Sequence, residues 1–137
     1  RMGDPECQTI LPKLSSDLLD VFMSCCNGKL KETKINWYNK KSVCVVLCSK
    51  GYPEKFKKNV SIKGLSKIKN NNIEYCYHAG TKIINNKIYS IGGRVLNFVC
   101  LSDSFEESRK KVLKTIKKLN WNNGFCRNDI GHKVIHK

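Results

Sequence analysis

Three short stretches of this 137-residue chain combine glycine with charged or hydroxyl side chains: Arg1-Met2-Gly3-Asp4-Pro5-Glu6, His78-Ala79-Gly80-Thr81 and Gly92-Gly93-Arg94. Two adjacent glycines let the backbone turn its N–H groups toward an anion, and Arg94 would add a planar charged fork suited to a phosphate or carboxylate. The same Gly-Gly pair equally suits a bulge or bend ahead of a strand. His78 closes an alternating run, where a strand meets the edge of a domain. It reads either as a hydrogen-bonded structural histidine or as a group facing a cleft, and the Thr81 hydroxyl either holds a ligand or caps the turn.

Such residues need elements to hold them. Leu18, Leu19, Phe22, Cys25 and Cys26 recur at helical spacing, with Ser15 or Ser16 as a cap and Gly28 as a stop, so one amphipathic helix is expected over residues 15–28. Upstream, Asp4-Pro5-Glu6 has the cap-then-proline order of a helical turn, and Pro12 bars a continuous helix, leaving residues 1–14 as a turn and connecting segment. From about residue 42 the pattern turns to short β-rich runs: Val43–Ser49, Val60–Ile62, Ile73–His78, Ile88–Ile91 and Arg94–Leu101. Lys50-Gly51-Tyr52-Pro53 breaks the first run, and Asn85-Asn86 sits between Lys82-Ile83-Ile84 and Lys87-Ile88-Tyr89 as a tight hairpin turn. A last helix starts at Ser104, where Ser-Phe-Glu-Glu forms a capping box with Glu107, and Phe105, Val112, Ile116 and Leu119 line its inner face. The order helix, strands, helix implies an α+β fold with a mostly antiparallel sheet and packed helices.

The formal net charge of +15 invites a nucleic-acid reading. Only Arg1, Arg94, Arg109 and Arg127 are arginines; the other 22 basic residues are lysines spread among abundant Asn and Ile. Phosphate and base recognition favours the arginine fork, whereas an AT-rich genome writes Lys, Asn and Ile onto solvated surfaces. Tyr75, Tyr77, Phe98 and Trp121 could stack on bases, but Tyr75 and Tyr77 share a strand face and Phe98 lies in an apolar run, so core packing serves as well. A small basic nucleic-acid-binding module therefore stands as the alternative reading. The eight cysteines contain no CxxC pair, and His78, His132 and His136 complete no four-ligand pattern, so the cysteines read as small buried hydrophobes. No apolar run is long enough for a signal peptide or membrane span. With Arg1 as its first residue, the chain is expected to be a soluble, cytoplasmic fragment.

The three glycine-bearing stretches stand in an order that resembles the phosphoribosylamine-glycine ligase family. RMGDPECQTILPKLSSDLL is similar to the family's R-F-G-D-P-E-x-Q segment with its following L-P-x-L and S-D-L, and VVLCSKGYP to its V-x-x-x-x-G-Y-P stretch. YHAGTK and the later GGRVL resemble the H-A-G-T and G-G-R-V-L pair, and FCRNDIGHKVI resembles the Y-R-x-D-I-G ending. The departures are mild: Met2 replaces the usual Phe, Cys7 the common Thr, and Cys126 follows the aromatic Phe125.

The resemblance implies the end of an ATP-grasp domain over residues 1–40, followed by a C-terminal domain over 41–137. It implies an enzyme in which ATP phosphorylates the glycine carboxylate to a glycyl phosphate. The amine of 5-phosphoribosylamine then attacks, giving glycinamide ribonucleotide, ADP and phosphate in de novo purine biosynthesis. ATP and Mg2+ (or Mn2+) would be bound mainly by parts of the polypeptide preceding this chain, with the metal ligands just upstream of Arg1, so the fragment alone is expected to be inactive. Arg1 would face the acyl phosphate as the catalytic residue. Substrate contacts would come from His78, Gly80, Thr81, Gly92, Gly93 and Arg94, with Lys50, Gly51 and Tyr52 nearby. The expected partners are the two substrates and the rest of the same polypeptide, with no nucleic acid and no membrane. Arg127, Asp129 and His132 in the closing motif would make an internal ion pair, dock a domain or touch substrate.

Overall fold

The structure, a computed structural model, describes residues 2–119 and 121–135. The chain runs α1 (Glu6–Ile10), α2 (Leu18–Cys26), β1 (Lys41–Ser49), β2 (Val60–Ser61), β3 (Glu74–His78), β4 (Thr81–Ile84), β5 (Lys87–Ser90), β6 (Arg94–Ser102), α3 (Phe105–Ile116), β7 (Gly124–Phe125) and α4 (His132–Ile135), with short 3-10 turns between. The strands form a four-stranded sheet in the order β3-β6-β1-β7 and a three-stranded sheet in the order β2-β5-β4. Every pairing is antiparallel, so the α+β class expected from the sequence is the one observed.

The two nine-residue strands β1 and β6 form the spine. They pair from Lys41 opposite Ser102 to Leu47 opposite Leu96, and then Cys48 faces Arg94, leaving Val95 as an extra residue in a bulge. A bulge bends its strand and redirects the side chains beyond it; here it lies next to Arg94. On one face, Val43, Val45, Leu47, Leu96, Phe98 and Cys100 are buried with Val112 of α3, and Phe105, Ile116 and Leu119 pack against them. Each large side chain buried in this way contributes roughly 1.5–3 kcal/mol over leaving it in water. On the other face Cys44, Val99 and Leu101 pack with Tyr75 and Tyr77. Helix α1 packs on β1 and β6, and the Thr9 hydroxyl donates to the Pro5 carbonyl at 2.8 Å.

Local chemistry explains the ends of these elements. Asn85 and Asn86 take φ of 47° and 58°, the paired left-handed conformation of a two-residue hairpin turn, between β4 and β5. Ser104 accepts from the Glu107 N–H at 3.1 Å and so caps α3 as expected. The Glu107 carboxylate pairs with Lys111 at 2.7 Å rather than reaching back, so the capping box is half made. Leu119 lies beyond the end of α3 but still packs on the core.

Three local expectations change. The cap of α2 is Asp17, whose carboxylate accepts from the Leu19 N–H at 2.7 Å and the Asp20 N–H at 3.4 Å; Ser16 instead accepts from the Asn36 N–H at 2.8 Å. Helix α2 buries none of its residues, and Leu19, Phe22 and Met23 are exposed. Asp4 does not cap α1, because its side chain is engaged elsewhere.

Candidate functional site

The two sheets meet at Gly80. Beyond His78 the chain continues along β6, with Ala79 N–H donating to the Val95 carbonyl and Gly80 N–H to the Arg94 carbonyl, both at 3.0 Å. The Gly80 carbonyl in turn accepts from Ile91 at 2.8 Å and Gly92 at 3.3 Å. A Cβ at Gly80 would come within 2.7 Å of both the Gly92 Cα and the Arg94 carbonyl oxygen. No side chain fits there, which is why the His-Ala-Gly-Thr and Gly-Gly-Arg stretches occur together. Gly93 is constrained from another side, since an added Cβ would fall on the Tyr52 ring. Tyr52 thus covers Gly93 as the chain leaves β1. Ser49, wholly buried, fixes the pair further: its N–H donates to the Gly93 carbonyl at 2.7 Å and its hydroxyl to the Gly92 carbonyl at 2.8 Å.

Arg94 then reaches the N-terminal stretch. Its Nη1 donates to the Asp4 carbonyl at 2.8 Å and its Nη2 lies 3.2 Å from the Asp4 carboxylate, while the other carboxylate oxygen accepts from Gln8 Nε2 at 2.9 Å. Next to this link an open groove of about 640 Å³ is lined by Met2, Gly3, Asp4, Gln8, Tyr77 and His78 among others. The exposed His78 ring has Nδ1 2.9 Å from the Thr81 hydroxyl, an arrangement that fixes the ring and directs Nε2 away from that bond. Tyr77 stacks on Tyr75 with ring centres 5.8 Å apart, and burial, with Tyr75 adding to it, pushes its hydroxyl pKa up. Burial likewise pushes up the Cys48 thiol, against the opposing pull of the Arg94 charge.

Residues 42–133 match the family described as Phosphoribosylglycinamide synthetase, C domain. The chain belongs to that family. It is 43% identical over 95% of its length to the phosphoribosylamine-glycine ligase of Caldanaerobacter subterraneus subsp. tengcongensis, and 39% identical over 99% to a bifunctional purine biosynthetic protein of Dictyostelium discoideum. The crystal structure of phosphoribosylamine-glycine ligase from Thermotoga maritima superposes on 96% of the chain with a TM-score of 0.70 at 25% identity. The chain spans 30% of the first relative, 17% of the second and 32% of the solved chain.

In this chain the structure joins His78, Gly80, Thr81, Gly92, Gly93, Arg94 and Tyr52 into one continuous region with Asp4. Gly51 precedes Tyr52 with φ of +98°. Lys50 lines a different cleft, with Lys63, Trp121 and Asn123. Arg1 lies outside the described residues, as does His136. Phe98 and Trp121 are 1% and 7% exposed, so two of the four aromatics that a base-stacking surface would need are in the core. In the closing motif Arg127 and Asp129 form an ion pair, which holds the Asp129 carboxyl at a pKa of about 2. Arg109 of α3 donates to the Asn128 carbonyl, docking this segment on the helix. Ser49 and Gln8 escaped the sequence reading; the only sequence signal for Ser49 is a hydroxyl closing an apolar run. Cys25 and Cys26 are exposed, a correction to their reading as buried hydrophobes, while Cys44 and Cys100 are buried.

Proposed function

We propose that this phosphoribosylglycinamide synthetase C domain is the C-terminal part of an ATP-dependent ligase that joins glycine to 5-phosphoribosylamine to give glycinamide ribonucleotide, ADP and phosphate in purine biosynthesis. The observation that carries the proposal is the link that Arg94, next to Gly92 and Gly93, makes to Asp4 beside the groove lined by Met2, Gly3, Asp4 and His78, in a chain whose relatives bear that enzyme's name. Residues 1–40 would close an ATP-grasp domain and residues 41–137 form the C domain. In this reading Arg94 holds the Asp4 loop beside the groove, and Arg1 acts on the reacting carboxyl. The His78 Nε2 and the Thr81 hydroxyl position phosphoribosylamine or glycine, and Gly80, Gly92 and Gly93, whose carbonyls are taken up within the protein, form the junction that holds them, with Gly51 and Tyr52 supporting Gly93 from behind and Lys50 at the margin. Fixing amine and carboxyl at reacting distance is the main task left to such residues.

ATP and Mg2+ or Mn2+ would be held by other parts of the polypeptide. Among the described residues no three His, Cys, Asp or Glu side chains come together as a metal site. Leu19, Phe22 and Met23 on α2, together with Trp37, present an exposed apolar surface suited to docking against the rest of the same polypeptide. No described helix is long and apolar enough to cross a membrane, and a cytoplasmic location fits a purine-forming ligase.

The test is phosphate release by the full-length protein with ATP and magnesium, adding glycine and freshly formed phosphoribosylamine separately and together. Release is expected only with both substrates, and His78→Ala and Arg94→Ala should reduce it at least tenfold. Release that ignores phosphoribosylamine, in a folded protein that binds ATP, would refute the assignment.

A further inference from the structure

Gln8 of α1 lines the same groove as Met2, Gly3, Asp4 and His78. It stands four residues beyond Asp4, the spacing at which Gln and Asp side chains meet across one helical turn, and its Nε2 donates to Asp4 Oδ1 at 2.9 Å. A carboxylate can only accept, so the amide has one orientation here: turned over, it would set Oε1 against an Asp4 oxygen. The other carboxylate oxygen, Oδ2, lies 3.2 Å from Arg94 Nη2, and the Asp4 carbonyl accepts from Arg94 Nη1 at 2.8 Å. Gln8 and Arg94 therefore hold opposite oxygens of one carboxylate.

The two holds do different work. Arg94 reaches Asp4 from β6 and ties the loop to the sheet, but both side chains are partly exposed and the charge attraction fixes distance more than direction. Gln8 belongs to the helix that the loop enters, and that helix packs on β1 and β6. The Cys7 N–H donates to the Gly3 carbonyl at 2.9 Å, so the segment from Gly3 to Gln8 is closed by one backbone bond and one side-chain bond. Without the Gln8 bond the Asp4 side chain can turn while keeping Arg94, and the Met2–Asp4 wall of the groove loses its fixed direction. Where two reactants must be held together, a misplacement of about 1 Å costs about a hundredfold in rate.

We propose that Gln8 is a positioning residue of the ligase: by holding Oδ1 of Asp4 it fixes the Met2–Asp4 wall against which phosphoribosylamine is placed. The role rests on the ligase reading of this groove.

The experiment uses the full-length protein and two substitutions. Gln8→Glu keeps the shape of the side chain but sets a second carboxylate against Asp4; only its protonated form can donate, and the neighbouring negative charge raises the pH at which it takes up the proton. Gln8→Met keeps the length and never donates. The kcat/KM for freshly formed phosphoribosylamine, at saturating ATP and glycine, is measured from about pH 5.5 to about pH 8.5 and divided by the wild-type value at each pH. The ratio cancels what Glu6, Cys7, Tyr77 and His78 around the groove contribute in both proteins.

The Gln8→Glu ratio should approach one at the acid end and fall at least tenfold at the alkaline end. Gln8→Met should be at least fivefold low throughout, with the KM for ATP unchanged in both variants. Thermal midpoints read the contact without the reaction: a carboxyl whose folded-state pKa is raised stabilises below that pKa and loses the contribution as pH rises through it, so Gln8→Glu should fall further below wild type as pH rises. A Gln8→Glu ratio that ignores pH, even with midpoints that follow it, would overturn the proposal, and so would a Gln8→Met value within twofold of wild type. Wild-type phosphate release that ignores phosphoribosylamine would remove the ligase reading before any variant is compared, so the two failures are told apart.

Discussion

Arg94 holds Asp4 at two points, through Nη1 on its backbone carbonyl and Nη2 on its carboxylate, across 90 residues of sequence. Both side chains are about two-fifths exposed, at 42% and 43%, so the charge attraction is weakened by solvent. A double-mutant cycle of Asp4→Asn with Arg94→Lys should therefore give a coupling of only about 0.5–1 kcal/mol in urea unfolding. Its effect on turnover in the full-length protein should be larger than that coupling, because the pair places a loop. Equal losses in stability and turnover would reduce the pair to a surface tether.

Gly80 and Gly93 differ in what a side chain would strike. At Gly80 the obstacles are backbone atoms of Gly92 and Arg94, which move only if the junction of the sheets moves; at Gly93 the obstacle is the Tyr52 ring, which can swing out. Gly80→Ala should cost more than about 2 kcal/mol, and Gly93→Ala should cost less. Adding Tyr52→Ala to Gly93→Ala should recover part of the loss, whereas nothing at position 52 should help Gly80→Ala. Thermal melts of the four variants decide it, and a Gly93→Ala penalty indifferent to residue 52 would remove the proposed contact.

The asymmetry between these glycines also marks what sequence could reveal. Strands β1 to β6, the Asn85-Asn86 turn and the Ser104 cap were legible because each depends on residues within a few positions of one another; the two-residue β7 was not. The grouping of His78, Gly80 and Gly92 was legible only as a recurring set of motifs. Its cause is a backbone approach between residues 80 and 92 that carries no side-chain signature. Ser49 was missed for a similar reason: a hydroxyl at a strand end looks solvated until the carbonyls of Gly92 and Gly93 are seen above it. The α2 cap went to Asp17 because its carboxylate meets two free N–H groups, a choice among three adjacent cap-forming residues that pattern alone cannot make. Lys50 was grouped with Tyr52 by adjacency, yet the chain turns between them, with Gly51 at φ of +98° and the Tyr52 N–H on the Ser49 carbonyl, and Lys50 lines another cleft.

Burial should sort the cysteines by reactivity. It pushes Cys44, Cys76 and Cys100 up to a pKa of about 11, so at pH 8 only about one thiol in a thousand is ionised at each. Cys25 and Cys26 are exposed. Brief iodoacetamide treatment at pH 8, read by peptide mass spectrometry, should label Cys25 and Cys26 first and Cys44 and Cys100 only once denaturant is added. Early labelling of Cys100 would mean that the sheet opens locally on the time scale of the reaction. In the full-length protein, slower labelling of Cys25 and Cys26 would show that α2 is covered there.

Asn97 presents a cost that substitution should relieve. It lies opposite Val46 on one side and Tyr77 on the other, is 1% exposed, and has neither its amide oxygen nor its amide nitrogen paired with any protein group. An unpaired buried polar group costs about 1–3 kcal/mol, while an apolar group of similar shape carries no such penalty. Valine is close in volume and suits a strand, so Asn97→Val should raise the stability by about 1 kcal/mol, seen as a higher urea midpoint with an unchanged slope. Asn97→Ala removes the same polar atoms but leaves a void, and should be the less stable of the two. If valine instead destabilises the protein, the amide has a partner such as a buried water, and its place beside Tyr77 would make it part of the groove rather than a defect in the sheet.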